Sequence, residues 1–187
     1  AILDTGISPH PDFKDRILSF RDFSSTTVSS EKVLFSFSHF SPLIDNSGHG
    51  THVAGIAGGS YFGTIATSES TTLDKNPYYG VAYDADLVIV GSTLEDTDIL
   101  NGIKYVFNYA DSIDKPAVVN ISLNTSYGPH DGTSLFDQAI DAMLGKGKIL
   151  VGSIGNDAKN KTHASMELNN AETPVLTFFK PSGYAAN

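Results

Sequence analysis

Short runs rich in Ile, Val and Leu alternate along this chain with stretches of helical periodicity, and that alternation restricts its folds more than any other feature. Ala1 to Leu3, Leu87 to Val90, Ala117 to Leu123 and Ile149 to Ser153 have the composition of strands buried on both faces. Between them, Ile99, Ile103, Val106, Phe107 and Ala110 recur at helical spacing, as do Leu135, Ala139, Ile140, Met143 and Leu144. Strand, helix, strand, helix, strand at these intervals predicts right-handed crossovers and a mainly parallel central sheet covered on both faces, a three-layer α/β fold. His49 to Gly59 is less periodic. Its small residues Gly50, Ala54, Gly55, Ala57 and Gly58 suit a closely packed helix.

At 187 residues, with 40% apolar and 18% charged residues, the chain is long and apolar enough for one domain with a real core. A formal net charge of −9 makes nucleic acid and anionic membranes poor partners. The chain has no cysteine, which excludes disulfides, thiolate metal sites and a cysteine nucleophile from these residues without fixing a compartment. No apolar run approaches the roughly 20 residues a membrane-spanning helix needs, and no signal peptide is visible. The sequence opens inside a strand and ends without a recognisable stop, so the reading expects a chain cut at both ends. Ser24 to Ser47 and Gly63 to Asn76 read as polar surface excursions. Thr173 to Phe179 reads as a further strand with no assigned place.

In an open parallel sheet, reactive groups collect beyond the carboxyl ends of the strands. Asp4, Ser122 and Asn156 each stand at or just past such an end, and His49 opens a helix. The carboxylate of Asp4, in Asp4-Thr5-Gly6, could accept the ring N–H of His49, although a lone Asp-Thr-Gly also makes an ordinary turn. A second such segment, as an aspartic protease needs, is absent. His49 sits between Gly48 and Gly50 and is a general-base candidate. His52 follows at a spacing of three with no Glu between, unlike helical zinc sites, so metal binding ranks low and His52 reads as a packed structural residue. The amide of Asn156 could donate to an oxyanion, or simply make a turn.

The segments Leu3-Asp4-Thr5-Gly6, His49-Gly50-Thr51-His52-Val53-Ala54-Gly55, Asn120-Ile121-Ser122-Leu123 and Gly155-Asn156 together resemble the subtilisin-like serine proteases, the subtilases of peptidase family S8. The resemblance is strongest over residues 1–157, Gly80-Val81-Ala82 included. It implies that residues 1–187 are a partial, N-terminal portion of a subtilase catalytic domain, incomplete at both ends, with 158–187 unassigned. It also implies Asp4 as triad acid, His49 as general base and Asn156 as oxyanion donor. Ser122, Leu123 and Asn124 would form one wall of the pocket for the residue preceding the scissile bond, with Gly152 and Ser153 opposite. The substrate would be a protein or peptide added as a strand along this edge. No cofactor is required; a structural calcium is compatible, and Asp45 is a carboxylate that could hold one, without a specific ligand spacing. Subtilases are usually exported, which implies a secreted or cell-envelope enzyme.

Two departures stand out. Asn124 and Thr125 replace the glycines usual after the Ser-Leu pair, and the Gly-Thr-Ser-Met-Ala block that carries the family's nucleophile is missing. Gly132-Thr133-Ser134-Leu135 precedes Asn156 and opens an amphipathic helix, so Ser134, with Asp137 after it, reads as a helix cap. Ala164-Ser165-Met166 has no small-residue helix behind it. Asn120-Ile121-Ser122, Asn124-Thr125-Ser126 and Asn160-Lys161-Thr162 read as chance sequon matches. The expectation is therefore an inactive fragment of an endopeptidase that self-associates through bare apolar surface. The alternatives are a non-catalytic pseudo-protease that binds peptides or proteins and, last, a metal-dependent hydrolase using His49 and His52.

Overall fold

The computed structural model describes residues 1–13, 15–23, 45–60 and 78–160. Among the described residues, five parallel strands form one sheet: β1 (Ile2–Asp4), β2 (Ile17–Asp22), β3 (Leu87–Gly91), β4 (Ala117–Ile121) and β5 (Lys148–Gly152), in the order β2-β3-β1-β4-β5. The α-helices of the described residues are α1 (His49–Gly58), α2 (Asp96–Ser112) and α3 (Leu135–Asp141). The strand runs legible in the sequence are β1, β3, β4 and β5, each within two residues of its expected bounds. The edge strand β2 is an addition. Its Ser19, Arg21 and Asp22 break the apolar run that marks the other strands, and its pairing with β3 shifts register between Ile17 and Ser19. By contact, the chain divides into a unit of Ala1–Gly155 and a second of Asn156–Asn187.

Strand alternation sends successive side chains into different layers. Ile2, Ile17, Phe20, Leu87 and Ile89 join Ala54 of α1, with Ile7 and Phe13, in one buried cluster. Leu3, Val90, Val119 and Ile121 face the other way and meet Ile99, Ile103, Val106 and Phe107 of α2, with Phe136 and Ile140 of α3 packed alongside. The α2 contacts fall at i, i+4, i+7 and i+8, a single stripe of a helix. Each Ile or Leu so buried contributes about 1.5–3 kcal/mol, enough to set which face of every strand turns inward. On the face of β4 and β5 turned away from α2, Val118, Ile149 and Val151 are exposed.

The sheet's register brings Asp4 and Ser122 side by side at its carboxyl rim. Asp4 is the last residue of β1, which pairs Leu3 with Ile121 of β4, so Ser122 leaves the sheet beside it. In the next pair, Ile121 faces Gly152 of β5.

Candidate active site

β1 delivers Asp4 to the carboxyl rim fully buried, at 0% exposure. Its Oδ1 accepts the Thr5 N–H at 2.7 Å and lies 2.7 Å from Nδ1 of His49, the first residue of α1. The Thr5 hydroxyl is 3.2 Å from the same oxygen. The other oxygen, Oδ2, is buried with no hydrogen-bond partner among the described residues. An ionised carboxylate can only accept, so facing one, Nδ1 of His49 is the donor of this contact and Nε2 is the nitrogen turned from it. The side chain of His49 is 47% exposed against 0% for Asp4. The pair is thus a buried acid holding a half-exposed imidazole in one tautomer, an arrangement able to take a proton from a group approaching from solvent.

Backbone contact explains why α1 begins here. A Cβ on Gly50 would stand 2.3 Å from the Gly6 carbonyl oxygen and 3.2 Å from Asp4 Cβ, so only glycine lets the helix start this close to the β1 turn. The buried stripe of α1 is Gly50, Ala54 and Gly58, at i, i+4 and i+8. His49, His52 and Ile56 lie off it and are exposed. This corrects the reading of His52 as a packed residue: three positions from His49 on a helix places it on the same outward side.

The early backbone N–H groups of α1 have partners that the sequence reading missed. Asp45, 5% exposed, accepts from Gly48 N–H (2.9 Å), Thr51 N–H (2.8 Å), the Thr51 hydroxyl (2.7 Å) and the Thr5 hydroxyl (2.7 Å). Gly50 N–H donates to the Thr5 hydroxyl oxygen (3.0 Å), and Ser8 N–H to that of Thr51 (2.9 Å). An Asp just ahead of a helix start was the available signal. Both Asp45 oxygens accept hydrogen bonds, so the carboxylate anchors the helix start. Among the described residues, no group of three or more His, Asp or Glu side chains comes together to hold a metal.

Burial pushes the Asp45 carboxyl upward, but the Thr51 hydroxyl and N–H, the Thr5 hydroxyl and the Gly48 N–H outweigh it and hold its pKa below the ordinary value. A depressed folded pKa gives stability that is complete above the unfolded carboxylate value and lost as pH falls through the folded one. Urea unfolding at stepped pH should therefore show the stability gap between wild type and Asp45→Asn shrinking below about pH 4. A gap constant through that window would show that Asp45 is not held ionised by these donors.

The structure also brings together the proposed pocket walls. Ser153 N–H donates to the Ile121 carbonyl (3.1 Å) and the Ser153 hydroxyl to the Leu123 carbonyl (2.8 Å), fastening Ser122–Asn124 to Gly152–Ser153. Ser122 Oγ accepts from the Asn120 side-chain amide at 2.9 Å. Asn124 lies against Gly155, where an added Cβ would be 2.6 Å from the Asn124 side-chain Cγ. Asn156 begins the second unit at the entry to the short 3-10 turn Asp157–Lys159, and its side chain does not cap that turn. The Ser134 hydroxyl caps α3, accepting the Asp137 N–H at 3.1 Å, as expected. Ser165 and Thr173 to Phe179 lie outside the described residues, as does most of the two polar excursions.

Several known proteins are similar to this chain. Subtilisin of Bacillus sp. (strain TA39) is 31% identical over 163 residues, covering 83% of this chain and 33% of that protein. The major intracellular serine protease of Bacillus subtilis (strain 168) is also 31% identical, over 84% of this chain and 42% of its own length. The chain therefore spans about a third to two-fifths of these curated relatives. Since one of the two is named as intracellular, membership of their family fixes no compartment. Among solved structures, the Clostridium perfringens CspB protease superposes with a TM-score of 0.64 at 35% identity, covering 81% of this chain and 34% of that one. The model of the Subtilase family matches residues 1–176, and the chain belongs to that family.

Proposed function

We propose that this chain supplies the acid, the base and the oxyanion donor of a subtilisin-type serine endopeptidase. The observation that carries the reading is the 2.7 Å contact between His49 Nδ1 and a fully buried Asp4. With Nδ1 fixed on Asp4, Nε2 of His49 takes the proton of a serine hydroxyl as that oxygen attacks the peptide carbonyl, and returns it to the leaving amine. Asp4 stabilises the imidazolium formed between the two steps. Asn156 donates to the oxyanion of the tetrahedral intermediate. Ser122–Asn124 and Gly152–Ser153 receive the peptide.

The 187 residues contain no Gly-Thr-Ser-Met-Ala block, so the chain by itself is inactive in this reading. Export and self-association through the strip of Val118, Ile149 and Val151 belong to the same proposal. Treatment with a serine-directed phosphonate is the test. The chain alone should not label, whereas a longer protein from the same reading frame that carries the block should label, and His49→Ala should abolish its labelling. Labelling of the 187-residue chain would overturn the nucleophile assignment. A longer protein that has no such block and binds peptides uncut would favour the pseudo-protease.

A further inference from the structure

We propose that Asp45 is a positioning residue for the Asp4–His49 pair, holding both partners through their neighbours. Toward His49, its carboxylate fixes Gly48 N–H on one side and the Thr51 N–H and hydroxyl on the other. Toward Asp4, it accepts the hydroxyl of Thr5, the residue whose N–H donates to Asp4. Thr5 closes the circuit by accepting Gly50 N–H, next to His49. One buried carboxylate thus ties the end of β1 to the start of α1 at the point where the two functional side chains meet. Gly48 holds a left-handed conformation (φ 75°) just before His49. The anchor at Gly48 N–H therefore fixes a turn that decides where the imidazole emerges.

The geometry has a directional consequence. Four donors converge on two oxygens, so an amide in place of the carboxylate would turn its own NH2 group toward donors on one side. Helix α1 could then shift along the β1 turn by a few tenths of an ångström without unfolding. Such a shift lengthens the Asp4–His49 bond, because a hydrogen bond weakens steeply once distance and angle leave their narrow range.

This inference rests on Asp4 and His49 acting as acid and base, and nuclear magnetic resonance of the imidazole separates the two claims. The 187-residue chain, labelled with nitrogen-15 at histidine, is observed above the ordinary imidazole titration range. Wild type should show the His49 proton on Nδ1, shifted downfield and slow to exchange with water. In Asp45→Asn and Thr5→Val, that proton should exchange about tenfold faster or more and the Nε2–H form should grow. Thr5→Ser, which keeps the hydroxyl, should retain the wild-type signature. The backbone amide spectrum reports folding in each case, and Thr5→Val decides the matter should Asp45→Asn not fold. Folded Asp45→Asn and Thr5→Val with an unchanged His49 signature would overturn the proposal while leaving the dyad intact. A wild-type His49 with its proton on Nε2 would overturn the acid–base reading itself, and this inference with it.

Discussion

Replacing Gly50 with alanine should cost about 3 kcal/mol or more of stability, although alanine is intrinsically the better helix residue by about 1 kcal/mol. The two effects oppose each other, and the contact decides between them. The added methyl would sit 2.3 Å from the Gly6 carbonyl oxygen and 3.1 Å from the Gly6 nitrogen, both backbone atoms that no rotamer change can move. Gly6 is itself in a positive-φ turn (φ 121°) packed against Asp45, so relief must come from the whole helix start. Gly55→Ala, in the same helix, is the control. No described atom lies within 4 Å of its added methyl, and it should be neutral or stabilise by up to about 1 kcal/mol. Urea unfolding of both variants, with the slope checked for constancy, measures the difference. Equal midpoints for the two would mean that helix propensity, not the close approach to the β1 turn, governs this site.

That close approach was only half legible in the sequence. The small residues of His49 to Gly59 announced a tightly packed helix, and the places of Asp4, His49 and Ser122 announced a shared rim. Both readings depend on period and position, which sequence carries well. The strands β1, β3, β4 and β5 were legible because each is a near-continuous apolar run of the kind a parallel sheet uses. β2 breaks its apolar run with Ser19, Arg21 and Asp22 and escapes notice. Asp45 escaped for a different reason. Its four donors come from Thr5, forty positions before it, and from Gly48 and Thr51 just after it, and hydrogen-bond convergence leaves no periodic trace. His52 was misread because the buried stripe of α1 is made of glycine and alanine, which mark no face by hydropathy. Ser134 shows the converse case: a local cap is written in consecutive residues and was read correctly.

The larger functional effect belongs to Asp4. In a protein from this reading frame that carries the nucleophile, Asp4→Asn should lower kcat by about 10⁴-fold, about 5.4 kcal/mol of transition-state stabilisation, with KM nearly unchanged. An amide has almost the carboxylate's shape, so the proposed peptide edge at Ser122 and Gly152 stays in place and KM is held. What disappears is the charge facing the imidazolium and the obligation of His49 to keep its proton on Nδ1. Stability should move little or upward. Asp4 is fully buried with Oδ2 unpartnered among the described residues, and a neutral group avoids the desolvation cost that an ionised one carries there. The combination separates a catalytic acid from a structural one, since a residue kept for packing or turn formation would lose stability first and activity only in proportion. Steady-state kinetics beside urea unfolding of the same two proteins reads both quantities. A variant that keeps more than about a tenth of wild-type kcat would remove Asp4 from the chemistry and reduce its contact with His49 to a helix-anchoring bond.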